Sequence, residues 1–331
     1  MTSQDSERFY DDEQNSRYGR HIVTATTAAA AAYAYHQLRL ATQADMARVD
    51  LNMKVVEKRS EKGDFATFIN TGMFQNPESV LEHVAGSLHD LGTVSVLRHG
   101  PDMENNRDTA LELLEREAGR RILWISMSKG AVDYQRLKAD PVFAAESADA
   151  EAEIHDSAVF SLEHMTRRGA IMFQIGRATP ENILGEVVYR KLNTAREDKM
   201  ANGSVRDINP GAFYIAHSAA KTFATHEYET GSVREAYVKH KVGHVVMMSS
   251  RNDKLVNTEA SGQWLADESG HDVIYAVDPD RPEGHHAGFP KFPRFMRATI
   301  DMLTSGDEIP FKSDENQESP YSLLTPQKPV Y

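Results

Sequence analysis

An α/β fold with a mostly parallel, doubly wound sheet and a helical insertion is what the order of elements in this sequence predicts. Three observations carry that prediction. Short apolar runs alternate with amphipathic helical stretches from residue 64 to residue 137. The same alternation returns from 244 to 303. Several of the apolar runs end directly in turns of small or polar residues, as buried parallel strands do.

The elements follow in chain order. Residues 1–20 are polar and charged and predict a disordered head, followed by a helix over 27–49. Residues 52–57 suit an early strand, with a turn at Lys62-Gly63. DFATFINTG, 64–72, reads as a buried strand running into a loop. NPESVLEHVAGSL spaces Val80, Leu81, Val84 and Leu88 as one helical face. TVSVL, 93–97, is the next strand, and 108–118 is an amphipathic helix carrying Leu111, Leu113 and Leu114. RILWIS, 121–126, is a third strand, with the helical SKGAVDYQRL behind it.

Between 140 and 240 the pattern loosens. SAVFSLEHM, 157–165, is the candidate for the next strand, whereas ENILGEVVYRKL and SVREAYVKHK are helical. A helical stretch in this place predicts a cap over the sheet. HVVMMSS, 244–250, and DVIYAV, 272–277, are strands; TEASGQWLADES and PRFMRATIDML are helices. The expected organisation is a head and alanine-rich helix over 1–50, one domain over 51–304 with its cap within 140–240, and a polar tail over 305–331.

Composition narrows the functions. With 40% apolar and 26% charged residues, the chain is ordinary for a globular protein. Its formal net charge of −12 and its lack of a basic stripe argue against nucleic acid as a partner. It contains no cysteine, which removes disulfides and thiolate chemistry. No metal-binding spacing of the H-E-x-x-H kind is present, and neither phosphate-loop pattern occurs. Residues 22–42 carry the one membrane-like signal, and its apolar run falls short of the roughly 20 residues a spanning helix needs. Membrane association through that segment is open but not favoured. The cytoplasm is the favoured location, with a membrane-associated or secreted form left open.

Chemistry concentrates in three loops after strands. The turn after RILWI reads Ser126-Met127-Ser128-Lys129-Gly130 and resembles the nucleophile elbow G-x-S-x-G of the α/β-hydrolases, with Ser126 in place of the first glycine. A strained strand-to-helix turn needs small residues on both sides of its serine, and Ser126 and Gly130 are small. HVVMMSSRNDKLVN resembles the family's acid segment, with Asp253 as the acid. DVIYAVDPDRPEGHHAGF resembles its final strand and histidine loop. Two registers compete there. Gly284-His285 matches one frequent pattern, while His286-Ala287-Gly288-Phe289 matches another and is preferred.

The order serine, aspartate, histidine is that of the family. The resemblance covers roughly 64–135 and 242–303 and implies a serine hydrolase of the esterase kind. It implies that Ser128, Asp253 and His286 or His285 form a catalytic triad acting on a small acyl substrate without a cofactor. It also implies oxyanion donors from the backbone N–H groups of Lys129 and of Met73, the latter in the Asn70-Thr71-Gly72-Met73 turn. Threonine stands where the family often has histidine in that turn. An acyltransferase using the same triad and a non-catalytic binding protein on the same fold are the alternatives. The sequence carries no signal for oligomeric state.

Overall fold

A computed structural model describes residues 53–72, 75, 77–100, 103–146, 149–160, 162–169, 242–313 and 318–327. The expectations for 1–50, for Met73, for residues 22–42 and for most of the cap fall outside those residues.

The strands are β1 (Lys54–Lys58), β2 (Phe65–Asn70), β3 (Gly92–Arg98), β4 (Arg121–Met127), β5 (Ala150–Asp156), β6 (Val242–Ser249), β7 (Val273–Val277) and β8 (Tyr321–Leu324). They form one sheet in the order β1-β3-β2-β4-β5-β6-β7-β8. β1 on β3 and β8 on β7 pair antiparallel, and all other pairs are parallel. The helices are α1 (Pro77–Leu88), α2 (Met103–Arg116), α3 (Lys129–Ala139), α4 (Pro141–Glu146), α5 (Thr258–Ser269) and α6 (Pro293–Ser305).

The strand sequences explain the layering. β2 is buried at all six positions, and β4 at every position after Arg121, because helices cover both faces. Alternate residues point to opposite sides. Ile69, Val94, Val96, Leu123, Ile125 and Ile154 pack against Val80, Val84 and Leu88 of α1 and Met296, Ile300 and Leu303 of α6. On the other face, Phe68 and Trp124 meet Leu113 and Leu114 of α2, Tyr134 of α3 and Phe143 of α4. Trp124 stacks on Tyr134 with centroids 4.6 Å apart and lies 4.7 Å from Phe68. Val245, Met247 and Val273 receive Leu265 and Ala266 of α5 on that side. The result is an α/β/α sandwich.

Two elements depart from the sequence reading. The strand expected at 157–165 lies earlier, at Ala150–Asp156. AEAEIHD does not look like a buried strand, but both its early glutamates are paired. Glu151 meets Arg121 at 2.7 Å on the surface. Glu153 is buried and accepts from Lys138 Nζ at 2.6 Å and Tyr134 OH at 2.8 Å, which replaces the hydration it loses. The second departure is β8, which extends the sheet into residues assigned by composition to the polar tail. Tyr321 anchors it, buried and stacked on Phe295 at 5.6 Å, with its hydroxyl 3.1 Å from Thr299 Oγ1.

Register brings the carboxyl ends of the central strands level. Asn70 pairs with Ser126, Met127 with Asp156, Asp156 with Met248, and Ser249 with Val277. Ser128, Asp253, His285 and His286 sit on the loops that leave this edge, and Lys129 opens the helix behind one of them, where open α/β sheets bind ligands.

Candidate active site

The turn between β4 and α3 places Ser128 in the left-handed half of backbone space, at φ 48° and ψ −116°. Its N–H donates to the Asp156 carbonyl at 2.8 Å, tying the turn to the end of β5. Gly130 is required by close packing. A Cβ there would stand 2.5 Å from the Asn70 carbonyl oxygen and 2.7 Å from that of Thr71.

The Ser126 hydroxyl, two residues before Ser128, has a buried partner. Ser126 is fully buried, and its Oγ accepts from Asn70 Nδ2 at 3.0 Å. Asn70 Oδ1 in turn accepts from His99 Nε2 at 2.7 Å. Burial pushes the His99 imidazole down to about 4 from an ordinary 6.5, with the Asp133 charge acting the other way. The folded protein therefore resists a proton that the unfolded chain accepts. Stability is fully present above pH 6.5, declines as pH falls towards 4, and levels off below that. The ceiling on this loss is about 3 kcal/mol. In His99→Gln, urea unfolding should lose much of its pH dependence over that interval; an unchanged slope would contradict the assignment.

The sequence candidates separate into those the fold brings together and one it turns away. His286 Nε2 lies 2.8 Å from Ser128 Oγ. His286 Nδ1 lies 2.9 Å from Asp253 Oδ2 and 3.2 Å from Oδ1. An ionised carboxylate only accepts, so Nδ1 carries the proton and Nε2 offers its lone pair to the serine hydroxyl. Asp253 Oδ1 also accepts the N–H groups of Leu255 at 2.8 Å and Val256 at 3.2 Å. Burial would raise the Asp253 carboxyl, but the His286 hydrogen bond and these donors hold it below its ordinary range. His285 faces elsewhere. Its ring meets Phe292 edge-on at 5.6 Å, and its carbonyl accepts from Ser250 Oγ.

Lys129 opens α3, so its N–H is one of the amino-terminal donors without a partner inside the helix. Its side chain pairs with Asp133 one turn on. The Gly72 N–H is already taken by Gln75 Oε1 at 2.6 Å. Gly72 itself lies against the serine, with a Cβ there 3.3 Å from Ser128 Cβ.

A buried ionic cluster underlies the histidine loop and was not legible in the sequence. Arg281, with a fully buried side chain, donates from Nη1 to Asp156 Oδ1 at 2.5 Å and from Nε to Asp278 Oδ2 at 3.3 Å. Asp156 Oδ2 accepts from the Phe289 N–H at 3.1 Å, and Ser157 Oγ accepts from the Ala287 N–H at 3.0 Å. The loop is thereby fixed to the end of β5 just beyond His286. Burial raises the Asp278 carboxyl, while the Arg281 charge opposes the rise.

Backbone strain marks the same place. Among the described residues, the non-glycine residues at positive φ are Ser128, Ser157, Asn252 and Ala287. Each either belongs to the hydrogen-bonded cluster or adjoins Asp253 or His286. Such conformations cost about 1–3 kcal/mol each and persist where surrounding contacts enforce them.

No protein-family model matches this sequence, and neither does any curated protein. Solved structures do resemble it. MGS-M2, an α/β-hydrolase enzyme from a Medee basin deep-sea metagenome library, superposes with a TM-score of 0.51 at 10% identity, covering 79% of this chain and 97% of its own. The enol-lactonase from Burkholderia xenovorans gives 0.50 at 13%, covering 76% and 96%. A variant of AqdC, solved with its substrate in a study of ring cleavage of the Pseudomonas quinolone signal, gives 0.50 at 14%, covering 77% and 96%. The protein has the α/β-hydrolase fold.

Among the described residues no helix is long and apolar enough to cross a membrane.

Proposed function

We propose that this protein is a serine hydrolase that cleaves an ester, thioester or amide through an acyl-enzyme on Ser128. The observation that carries the reading is the unbroken hydrogen-bond chain from Ser128 Oγ through His286 to Asp253 at the carboxyl edge of the sheet. The α/β-hydrolase enzymes that share the fold support it.

In this reading Ser128 Oγ attacks the carbonyl carbon while His286 Nε2 takes the hydroxyl proton. Asp253 keeps the imidazole in the required tautomer and stabilises the imidazolium. The oxyanion is met by the Lys129 N–H and, by resemblance, by the N–H of Met73. The tetrahedral intermediate collapses, and His286 protonates the departing alcohol, thiol or amine. Water then attacks the acyl-enzyme with His286 as its base, releasing the acid and restoring Ser128. The strained serine stands just beyond the strand end, where a carbonyl can approach it.

The two adjacent histidines give a sharp test. His286→Asn should lower turnover of activated esters by several orders of magnitude. His285→Asn should stay within a few-fold of wild type. The reverse pattern, or equal losses, would remove His286 from the role.

A further inference from the structure

We infer that Gln75 is a positioning residue that couples the Gly72 turn to the histidine loop, so that the serine and its base are held in one geometry. This rests on the serine-hydrolase reading and deepens it. Gln75 is buried, 6% exposed, and its amide is used at both ends. Oε1 accepts from the Gly72 N–H at 2.6 Å, and Nε2 donates to the Ala287 carbonyl at 3.3 Å. Gln75 and Ala287 are 212 positions apart in sequence.

Both contacts fall on strategic peptides. Gly72 lies against Ser128, and a Cβ there would meet Met127 O at 3.0 Å, Gln75 Oε1 at 3.1 Å and Ser128 Cβ at 3.3 Å. Ala287 follows His286 directly and is held at φ 44°, a conformation alanine does not choose unaided. Its N–H is held by Ser157 Oγ and its carbonyl by Gln75. Without the second hold, the peptide next to His286 can rotate and carry the imidazole away from Ser128 Oγ.

A glutamine suits this bridge because one atom accepts and the other donates. A glutamate side chain of the same length, when ionised, keeps the acceptor and loses the donor. When protonated it regains one. The Gln75→Glu substitution therefore carries a pH signature that simple loss of packing does not.

The experiment measures the second-order rate at which a fluorophosphonate labels Ser128 in wild type, Gln75→Ala and Gln75→Glu, from pH 8 to pH 5, beside each protein's melting temperature. The expected result is a rate about tenfold to a hundredfold lower in both variants at pH 8, the size of loss that a misplacement of about 1 Å produces. The Gln75→Glu rate, read well below the melting temperature that its buried carboxylate lowers at pH 8, should climb relative to wild type as pH falls. Labelling of wild type with both variants within twofold of it at all pH values would overturn the positioning role and leave the serine-hydrolase reading intact. A wild type that is not labelled at all would overturn that reading first, and this inference with it. If Gln75→Ala does not fold, the near-isosteric Gln75→Glu decides alone.

Discussion

Replacing Ser128 by alanine is expected to lower turnover of acyl substrates by about a million-fold while leaving the protein folded. The size follows from the way the hydrogen-bond chain is built. His286 Nε2 has the serine hydroxyl as its partner at 2.8 Å, and without it the imidazole has nothing to activate but water. Residual rate would come from binding and backbone donors alone. A companion substitution separates chemistry from strain. Ser128→Gly removes the side chain at φ 48°, where glycine is at ease and other residues are not. It should abolish turnover and raise the melting temperature, the trade expected where strain is kept for function. Activity assays and thermal melts on both variants check this. Turnover retained by either one would contradict the role given to Ser128.

Arg281→Met carries the largest expected cost in stability. The guanidinium lies between Asp156 and Asp278 with no exposed side-chain surface, and methionine leaves both carboxylates buried without a cation. Breaking a buried ion pair from one side costs about 3–5 kcal/mol. The sign of the pH dependence follows from the same groups. Burial raises the Asp278 carboxyl and the Arg281 charge opposes the rise, so without Arg281 it is easier to protonate in the folded state than in the unfolded chain. The variant should therefore be weakest relative to wild type at neutral pH and recover part of the deficit as pH falls into the carboxylate range. Since Asp156 also holds the Phe289 N–H, loosening should spread to the His286 loop. Urea unfolding at pH 7 and pH 4.5 measures the effect; a deficit that grows in acid would contradict it.

The fold, and the strand-end placing of Ser128, Asp253 and the two histidines, are legible because their signals are local. RILWIS is an apolar run that suits a buried strand, and Ser128 follows it between two small residues. Asp253 and the two histidines follow strands in the same way. The sequence separates His285 from His286 less sharply, because both stand in the same glycine-bounded loop. The choice depends on the backbone between them and Phe289, where Ala287 adopts φ 44°.

What stayed hidden depends on partners far along the chain. Gln75 reaches Ala287 across 212 positions, and Arg281 reaches Asp156 across 125, so no periodicity or motif announces either. β5 escapes local pattern for a related reason. Glu151 and Glu153 make AEAEIHD look solvent-facing until Arg121, Lys138 and Tyr134 are seen to satisfy them. β8 is short and isolated in a polar stretch, and Tyr321 secures it to α6.

Covalent labelling with a fluorophosphonate, followed by mass spectrometry of the modified peptide, decides whether Ser128 is an activated nucleophile. One modified residue, Ser128, is expected in wild type and none in Ser128→Ala. A folded wild-type protein that takes no label, or takes it elsewhere than Ser128, would contradict it.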